Sequence, residues 1–351
     1  MERLRFKLLR KLRTVFWYLD YIIWKIFSFR KFKPQLKPKS ILIIELKYIG
    51  DLIVSTPTIS ALKEHFPKAK IDIAVPVGMK DVLYNNPHLN KIIEWNPKNL
   101  PNSIPNYDLA IILHPGSFKI STLTKHIPFR IGSCRAGILE GKGFFLHRKT
   151  KPTKKWKLKI LDNLDVIKTI GITTKDIFPK IYTDPKVEKT ILNDLPKRYV
   201  VFHAAANYPS HNWSIRNWAD LADKLDLPVI FTGSKEQHNY NQEIIALTTK
   251  KQSKNFAGSS LKEFFAIIKN AAYVISVDTS AMHVAAAFNK KVISLFGAGE
   301  PNVWKPLTKE STVIFHNEVC TTCHQYTCSL KGKRFMECMK SITVDEVLSK
   351  I

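Results

Sequence analysis

The sequence is poor in the elements from which many nucleotide and hydrolase sites are built. It has only 13 glycines in 351 residues, and no G-x-G-x-x-G turn, Walker lysine loop or G-x-S-x-G elbow occurs in it. Dinucleotide dehydrogenases, P-loop enzymes and α/β-hydrolases are disfavoured accordingly. No clean apolar run reaches the ~18–20 residues that a spanning helix needs. The nearest, Val15 to Phe27, is interrupted by Asp20 and Lys25. No small-residue cleavage site follows it, which argues against a secretory leader. No repeat of solenoid period is present, and 19 prolines in no strict period exclude a collagen-like chain. Acidic residues are also scarce: 29 against 55 lysines and arginines, a formal net charge of +26. A hydrophobic content of 45% excludes intrinsic disorder, and the length suggests two domains.

The positive charge is uneven. Residues 1–40 carry 12 basic and 2 acidic side chains, residues 41–185 carry 22 and 12, and residues 186–351 carry 21 and 15. The first segment interleaves Arg3, Arg5, Lys7, Arg10, Lys11 and Arg13 with bulky residues, then turns aromatic through Phe16, Trp17, Tyr18, Tyr21, Trp24 and Phe27. Basic and aromatic residues in this mixture suit an amphipathic helix lying in an anionic membrane interface. The alternative is a helix whose aromatic face packs on the protein itself, with solvated charges opposite. Pro34 and Pro38 among lysines mark a linker over 29–40.

From residue 41 the pattern is α/β. Ile41–Leu46, Ile71–Val75, Lys91–Trp95 and Leu109–Leu113 read as strands, with helices over 51–66, near 78–85 and over 156–170. The pattern restarts with strands at Tyr199–His203, Leu227–Thr232, Tyr273–Val277 and Lys291–Phe296, separated by helices at 214–225, 261–269 and 278–287. Two doubly wound units joined near 172–198 are expected, with domains at 41–185 and 186–351 and ligands at the strand C-terminal ends facing a cleft.

Strand-to-helix turns carry the candidate chemistry. Lys47-Tyr-Ile-Gly50-Asp51 places a carboxylate at a helix start, where it serves as an N-cap or faces a ligand; the helix field there lowers its pKa. Asp278-Thr279-Ser280 followed by His283 offers amides and hydroxyls for a phosphate, with His283 as proton donor or positive charge. Weaker candidates are the loop from His203 to Trp213, the Gly233–Glu236 turn, and Gly297-Ala-Gly299-Glu300 with Trp304 and Pro306.

Taken in order, these segments resemble glycosyltransferase family 9, the ADP-heptose:lipopolysaccharide heptosyltransferases. The likeness runs from Ile41 to the C-terminus: Ile-Leu-Ile-Ile-Glu-Leu-Lys-Tyr-Ile-Gly-Asp51-Leu with Thr56-Pro57, then Val277-Asp278-Thr279 with His283-Val-Ala-Ala, then Leu295-Phe-Gly297 with Trp304-Lys-Pro306. The Lys-Tyr-Ile-Gly-Asp wording is most similar to the heptosyltransferase III type. The resemblance implies a GT-B fold of two Rossmann-like domains. It implies inverting transfer without a covalent intermediate or catalytic cofactor, with Asp51 as general base. Donor contacts would come from Asp278, Thr279, Ser280, His283, His211, Glu236 and Gly297, and acceptor contacts from Lys47, Gly50, Arg130 and Arg135. The implied partners are ADP-heptose and a lipid-anchored core oligosaccharide at the cytoplasmic face of the bacterial inner membrane, and nucleic acid is not expected. Arg130, Arg135, Lys142, Arg148 and Lys149 read as a basic loop facing an anionic acceptor, or as a solvated face.

One departure stands out. Family members commonly carry threonines and a lysine in the loop after the first strand of the second domain. Here Ala205, Ala206 and His211 stand there, with Trp213 retained. Lysine is a permanent charge for donor phosphates, whereas the charge of a histidine depends on pH. Of five cysteines, four lie in Cys320-x2-Cys323-x4-Cys328-x9-Cys338. That spacing is compatible with a structural zinc site, free structural thiols or disulfides, the last disfavoured in a reducing compartment.

Overall fold

The computed structural model describes residues 2–27, 37–113, 117–134, 145–153, 156–250, 252–316, 320 and 323–351. The chain divides into two compact units, Met1–Pro179 and Lys180–Ile351. The boundary falls six residues before the expected one. Asp184 and Glu188 belong to the second unit because they pair with Lys262 at 3.0 Å and Lys269 at 2.8 Å.

In the first unit the helix α1 (Glu2–Phe27) precedes β1 (Ser40–Ile44), α2 (Ile49–His65), β2 (Lys70–Pro76), β3 (Lys91–Trp95) and β4 (Leu109–Ile112). There follow α3 (Phe118–Leu123), β5 (Phe129–Gly132), β6 (Arg148–Lys149) and α4 (Lys159–Lys168). The strands form a sheet in the order β3-β2-β1-β4-β5-β6, every adjacent pair parallel. The expected helix near 78–85 is only a single 3-10 turn, Lys80–Leu83. Left-handed Gly78 (φ +82°) precedes it and left-handed Asn85 (φ +52°) follows it.

The second unit repeats the plan with α5 (Pro185–Leu192), β7 (Val200–His203), α6 (Ile215–Lys224), β8 (Val229–Phe231), α7 (His238–Leu247), β9 (Lys254–Asn255) and α8 (Leu261–Asn270). It continues through β10 (Tyr273–Val277), α9 (Ser280–Ala287), β11 (Val292–Phe296), α10 (Pro301–Trp304) and β12 (Ser311–Phe315). Its sheet order is β12-β11-β10-β7-β8-β9, again parallel throughout. Counted within each unit, both sheets read 3-2-1-4-5-6, the Rossmann order. The order reverses between strands 1 and 4, so the ligand edge lies beyond the C-terminal ends of β1 and β4, and of β7 and β10.

Burial on both faces explains the apolar strand runs. Ile41 to Ile44, Ile73, Val75 and Ile111 are inaccessible to solvent, and each fully buried aliphatic side chain contributes ~1.5–3 kcal/mol. The helix α2 is buried from Gly50 to Ile59 because it lies between its sheet and α4. It tolerates Pro57 in its interior through a local substitution of partners. Proline supplies no N–H to the Ile53 carbonyl, and the neighbouring Thr56 hydroxyl donates to that carbonyl instead, at 2.8 Å. The Thr56-Pro57 pair thus works as a unit.

The N-terminal arm is not an independent appendage. Asp20 and Trp24 of α1 are buried. Asp20 accepts from Lys149 Nζ at 2.5 Å with both side chains fully covered, and Trp24 Nε1 donates to the Leu146 carbonyl at 3.1 Å. Self-packing of the aromatic side is therefore present. On the opposite face Leu12, Val15, Leu19, Ile22 and Ile26 are exposed.

Candidate active site

In the first unit the site grows from the end of β1. The chain leaves the strand through Glu45, turns over Lys47 and enters α2, whose N-cap is Tyr48 in extended conformation. Asp51 is therefore the third helical residue and not the cap. Its Oδ2 accepts the Tyr48 N–H at 3.4 Å. Gly50, the second residue of the helix, is buried, while Lys47 and Tyr48 are exposed, with the Lys47 ammonium 5.9 Å from the Tyr48 ring centroid.

Two residues that sequence reasoning missed complete this end of the sheet. Glu45 is fully buried, and among the described residues neither carboxylate oxygen finds a hydrogen-bond partner. Lys159, the first residue of α4, is also buried; its ammonium donates to Asn163 Oδ1 at 2.8 Å and lies 3.5 Å from the Leu113 carbonyl at the end of β4. Asn163 in turn donates to the Val54 carbonyl of α2, which ties α4 to α2.

Burial pushes the Glu45 carboxyl up to about 8. Lys159, Lys47 and the Lys47 N–H oppose that rise without making a hydrogen bond of ordinary geometry, and the Asp51 charge adds to it. Asp51 is raised too, chiefly by burial, with Lys159 the largest opposing influence, followed by the Tyr48 N–H and Lys47. The expectation that the helix start would lower its pKa is thus overturned: desolvation outweighs the local dipole and hydrogen bonds. The rise favours the neutral acid at Glu45, which spares the site two adjacent carboxylate charges. Asp51 is a stronger proton acceptor for its shift.

The expected acceptor arginines fare differently. Arg130 lies in β5, its side chain buried, and its guanidinium donates to the carbonyls of Phe145, Lys125 and Ile127. It staples backbone together and does not present its charge to an acceptor. Lys149 is likewise consumed by Asp20. Arg135 and Lys142 lie outside the described residues.

In the second unit the loop after β7 and the β10–α9 turn meet. His211 Nδ1 lies 3.4 Å from Asp278 Oδ2. His211 Nε2 is buried and, among the described residues, without a hydrogen-bond partner. Thr279 is the N-cap of α9, accepting from the Ala281 N–H at 3.3 Å, and Ser280 begins the helix. His283 is buried against Trp304, ring centroids 6.1 Å apart. Burial lowers its pKa to about 4 despite the nearby Asp278 charge, so the expected positive charge is absent and His283 is a neutral imidazole.

Of the two glycines after β11, the structure favours the one not singled out. A Cβ on Gly299 would lie 1.9 Å from Asp278 Oδ2 and 3.3 Å from His211 Cε1. A Cβ on Gly297 would instead strike Met339 Sδ at 2.4 Å. Gly297 is therefore a packing glycine for the C-terminal segment, and Gly299 makes room for the Asp278–His211 pair. Glu236 is exposed in a turn after β8, its carboxylate lowered by a hydrogen bond from Ser234. Gln237 ties that turn to the β7 loop through the Ala205 carbonyl at 3.1 Å.

The cysteine segment braces the same loops. His324 N–H donates to the Ala298 carbonyl, Ser210 N–H to the Tyr326 carbonyl and Ser210 Oγ to the Gln325 carbonyl. The Tyr208 ring lies edge-on to both Tyr326 and His211. Among the described residues no disulfide joins the cysteines. Burial and the neighbouring thiols push Cys338 up to about 12. Among the described residues no three His, Cys, Asp or Glu side chains form a group that could hold a metal ion.

Comparison with known proteins gives this architecture a context. A family model, glycosyltransferase family 9 (heptosyltransferase), matches residues 103–334. Lipopolysaccharide heptosyltransferase 2 of Salmonella typhimurium is 24% identical over 347 residues, covering 89% of this chain and 97% of that protein. Lipopolysaccharide heptosyltransferase 3 of Escherichia coli K12 is 27% identical, covering 75% and 84%. Among solved structures, a glycosyl transferase family 9 protein from Veillonella parvula aligns with a TM-score of 0.75 at 18% identity over 89% of this chain and 95% of that one. The E. coli ADP-heptose lps heptosyltransferase II aligns at 0.72 with 23% identity, covering 89% and 97%.

Proposed function

The chain belongs to glycosyltransferase family 9, and from that membership we propose that it transfers heptose from ADP-heptose to a lipid-anchored core oligosaccharide, inverting the anomeric carbon. The chain is a glycosyltransferase of GT-B fold; the donor, the acceptor and the residue roles are the proposal. An acceptor hydroxyl gives its proton to the Asp51 carboxylate as its oxygen attacks C1 of the sugar. The bond from C1 to the phosphate oxygen breaks, and ADP leaves with the electron pair. The observation that carries the reading is the buried Asp51, raised by desolvation yet attended by Lys159, at the switch-point edge of the first sheet.

Negative charge developing on the leaving phosphate meets the N-terminus of α9 and His211, which Asp278 orients through Nδ1 and whose Nε2 has no partner among the described residues. The neutral His283 donates or accepts a hydrogen bond but brings no charge. Lys47 and the exposed Tyr48 stand beside Asp51 as acceptor contacts. The enzyme works at the cytoplasmic face of the inner membrane as a peripheral protein on anionic lipid; no described helix is long and apolar enough to cross a membrane.

A donor screen by calorimetry tests the assignment. ADP-heptose and ADP are expected to bind, whereas UDP-, GDP- and CMP-sugars are not. Binding confined to UDP-sugars contradicts the heptose reading.

A further inference from the structure

The outward face of α1 is aliphatic. Leu12, Val15, Leu19, Ile22 and Ile26 are each 52–58% exposed. Their spacing alternates three and four residues, which lines them up along one side of the helix. Asp20 and Trp24, which fasten the helix to Lys149 and the Leu146 carbonyl, lie on the opposite side. An aliphatic line left uncovered on a helix fixed so firmly elsewhere calls for a partner.

We propose that this stripe is a bilayer-docking face: α1 lies along an anionic lipid surface with Leu12, Val15, Leu19, Ile22 and Ile26 in the boundary between headgroups and acyl chains. The proposal deepens the peripheral placement above and rests on it. It also reverses part of the sequence expectation, because the buried Trp24 turns to the protein and the aliphatic residues face outward.

A second copy of the chain is the competing occupant, since the spacing would suit a helix pair. Two features weigh against it. Among the described side chains the stripe spans two heptads, short of the three or four that sustain a coiled coil. Residues 1–40 also carry 12 basic against 2 acidic side chains, so pairing two copies sets like charges together, whereas anionic lipid supplies the counter-charge. The helix is too polar to span, and a basic amphipathic helix that cannot span lies in the interface. The Asp20 and Trp24 fastenings then transmit the docking to β6 and the residues before it, so the bilayer orients the whole first unit.

The test uses the full-length chain and a Leu19→Gln/Ile22→Gln variant, with vesicles of phosphatidylcholine alone or mixed with phosphatidylglycerol. The wild type is expected to sediment with mixed vesicles, and the variant to partition roughly tenfold or more less strongly. Thermal stability and transfer to a lipid-free acceptor should stay unchanged, because both side chains are more than half exposed. Equal sedimentation of the two proteins overturns the proposal. So does a lipid-free wild type that is dimeric by light scattering when the variant is monomeric. Vesicle binding as expected, with no heptosyl transfer by either protein, supports the docking face and counts only against the activity proposed above.

Discussion

Two carboxyl groups and one ammonium share the buried end of β1, and their coupling makes a prediction at the residue scale. The Glu45 pKa rises from 4.5 to about 8 on folding. Between those values the folded chain holds a proton that the unfolded chain has lost, so stability falls as pH rises through this window. Glu45→Gln keeps the shape of the neutral acid and removes the titration. Its melting temperature should match that of the wild type at pH 4 and exceed it at pH 8; a variant less stable than wild type at pH 8 would show that an ionised Glu45 is needed. A second pair of variants separates the glycines. Gly299→Ala drives a Cβ toward Asp278 and should weaken ADP binding by roughly tenfold or more, a loss of ~1.4 kcal/mol. Gly297→Ala collides with Met339 and should lower the melting temperature with a much smaller effect on ADP affinity. Asp51 was legible in the sequence because Gly-Asp at a strand-to-helix turn is a local signal. Glu45 was not, since it ends an apolar run like any strand residue, and Lys159 is brought in by helix packing that no local pattern encodes.

At the scale of elements, helices with strong periodicity and strands with unbroken apolar runs were readable, and Tyr273–Val277 matches its expected bounds. The strands β5, β6 and β9 lack such runs and were missed, as was β12, although it carries Val313-Ile-Phe315. β5 carries Arg130 in Phe-Arg-Ile-Gly, and β6 is the two-residue Arg148–Lys149; both look like a basic loop until Arg130 is seen bound to backbone carbonyls and Lys149 to Asp20. The helix α1 shows how a sequence reading can be half right. Its aromatic side packs inward, but a buried ion pair fixes the orientation, and charge pattern alone could not reveal which residue pairs with Asp20. Asp20→Ala leaves Lys149 buried without its partner. Breaking such a pair from one side costs ~3–5 kcal/mol, so unfolding of this variant, followed by denaturant titration, should show a loss of that order. A loss below about 1 kcal/mol would mean that the pair is open to water.

At the scale of the whole molecule, the two units use one strand order twice and differ in what they place at its reversal. The first puts Asp51, Glu45 and Lys159 there; the second puts Asp278, His211 and the α9 N-terminus. The charge follows the same division of labour, with the excess concentrated in the arm and in the first unit. On the mechanism proposed above, proton removal and donor holding are separable by a single substitution. The direct measurement is turnover with ADP-heptose and a truncated core acceptor, set beside ADP-heptose affinity by calorimetry, for wild type and Asp51→Asn. Asp51→Asn is expected to lower kcat by about 10²–10⁴-fold, the range of a lost general base, with donor affinity nearly unchanged. An Asp51→Asn enzyme that keeps most of its turnover would contradict that mechanism.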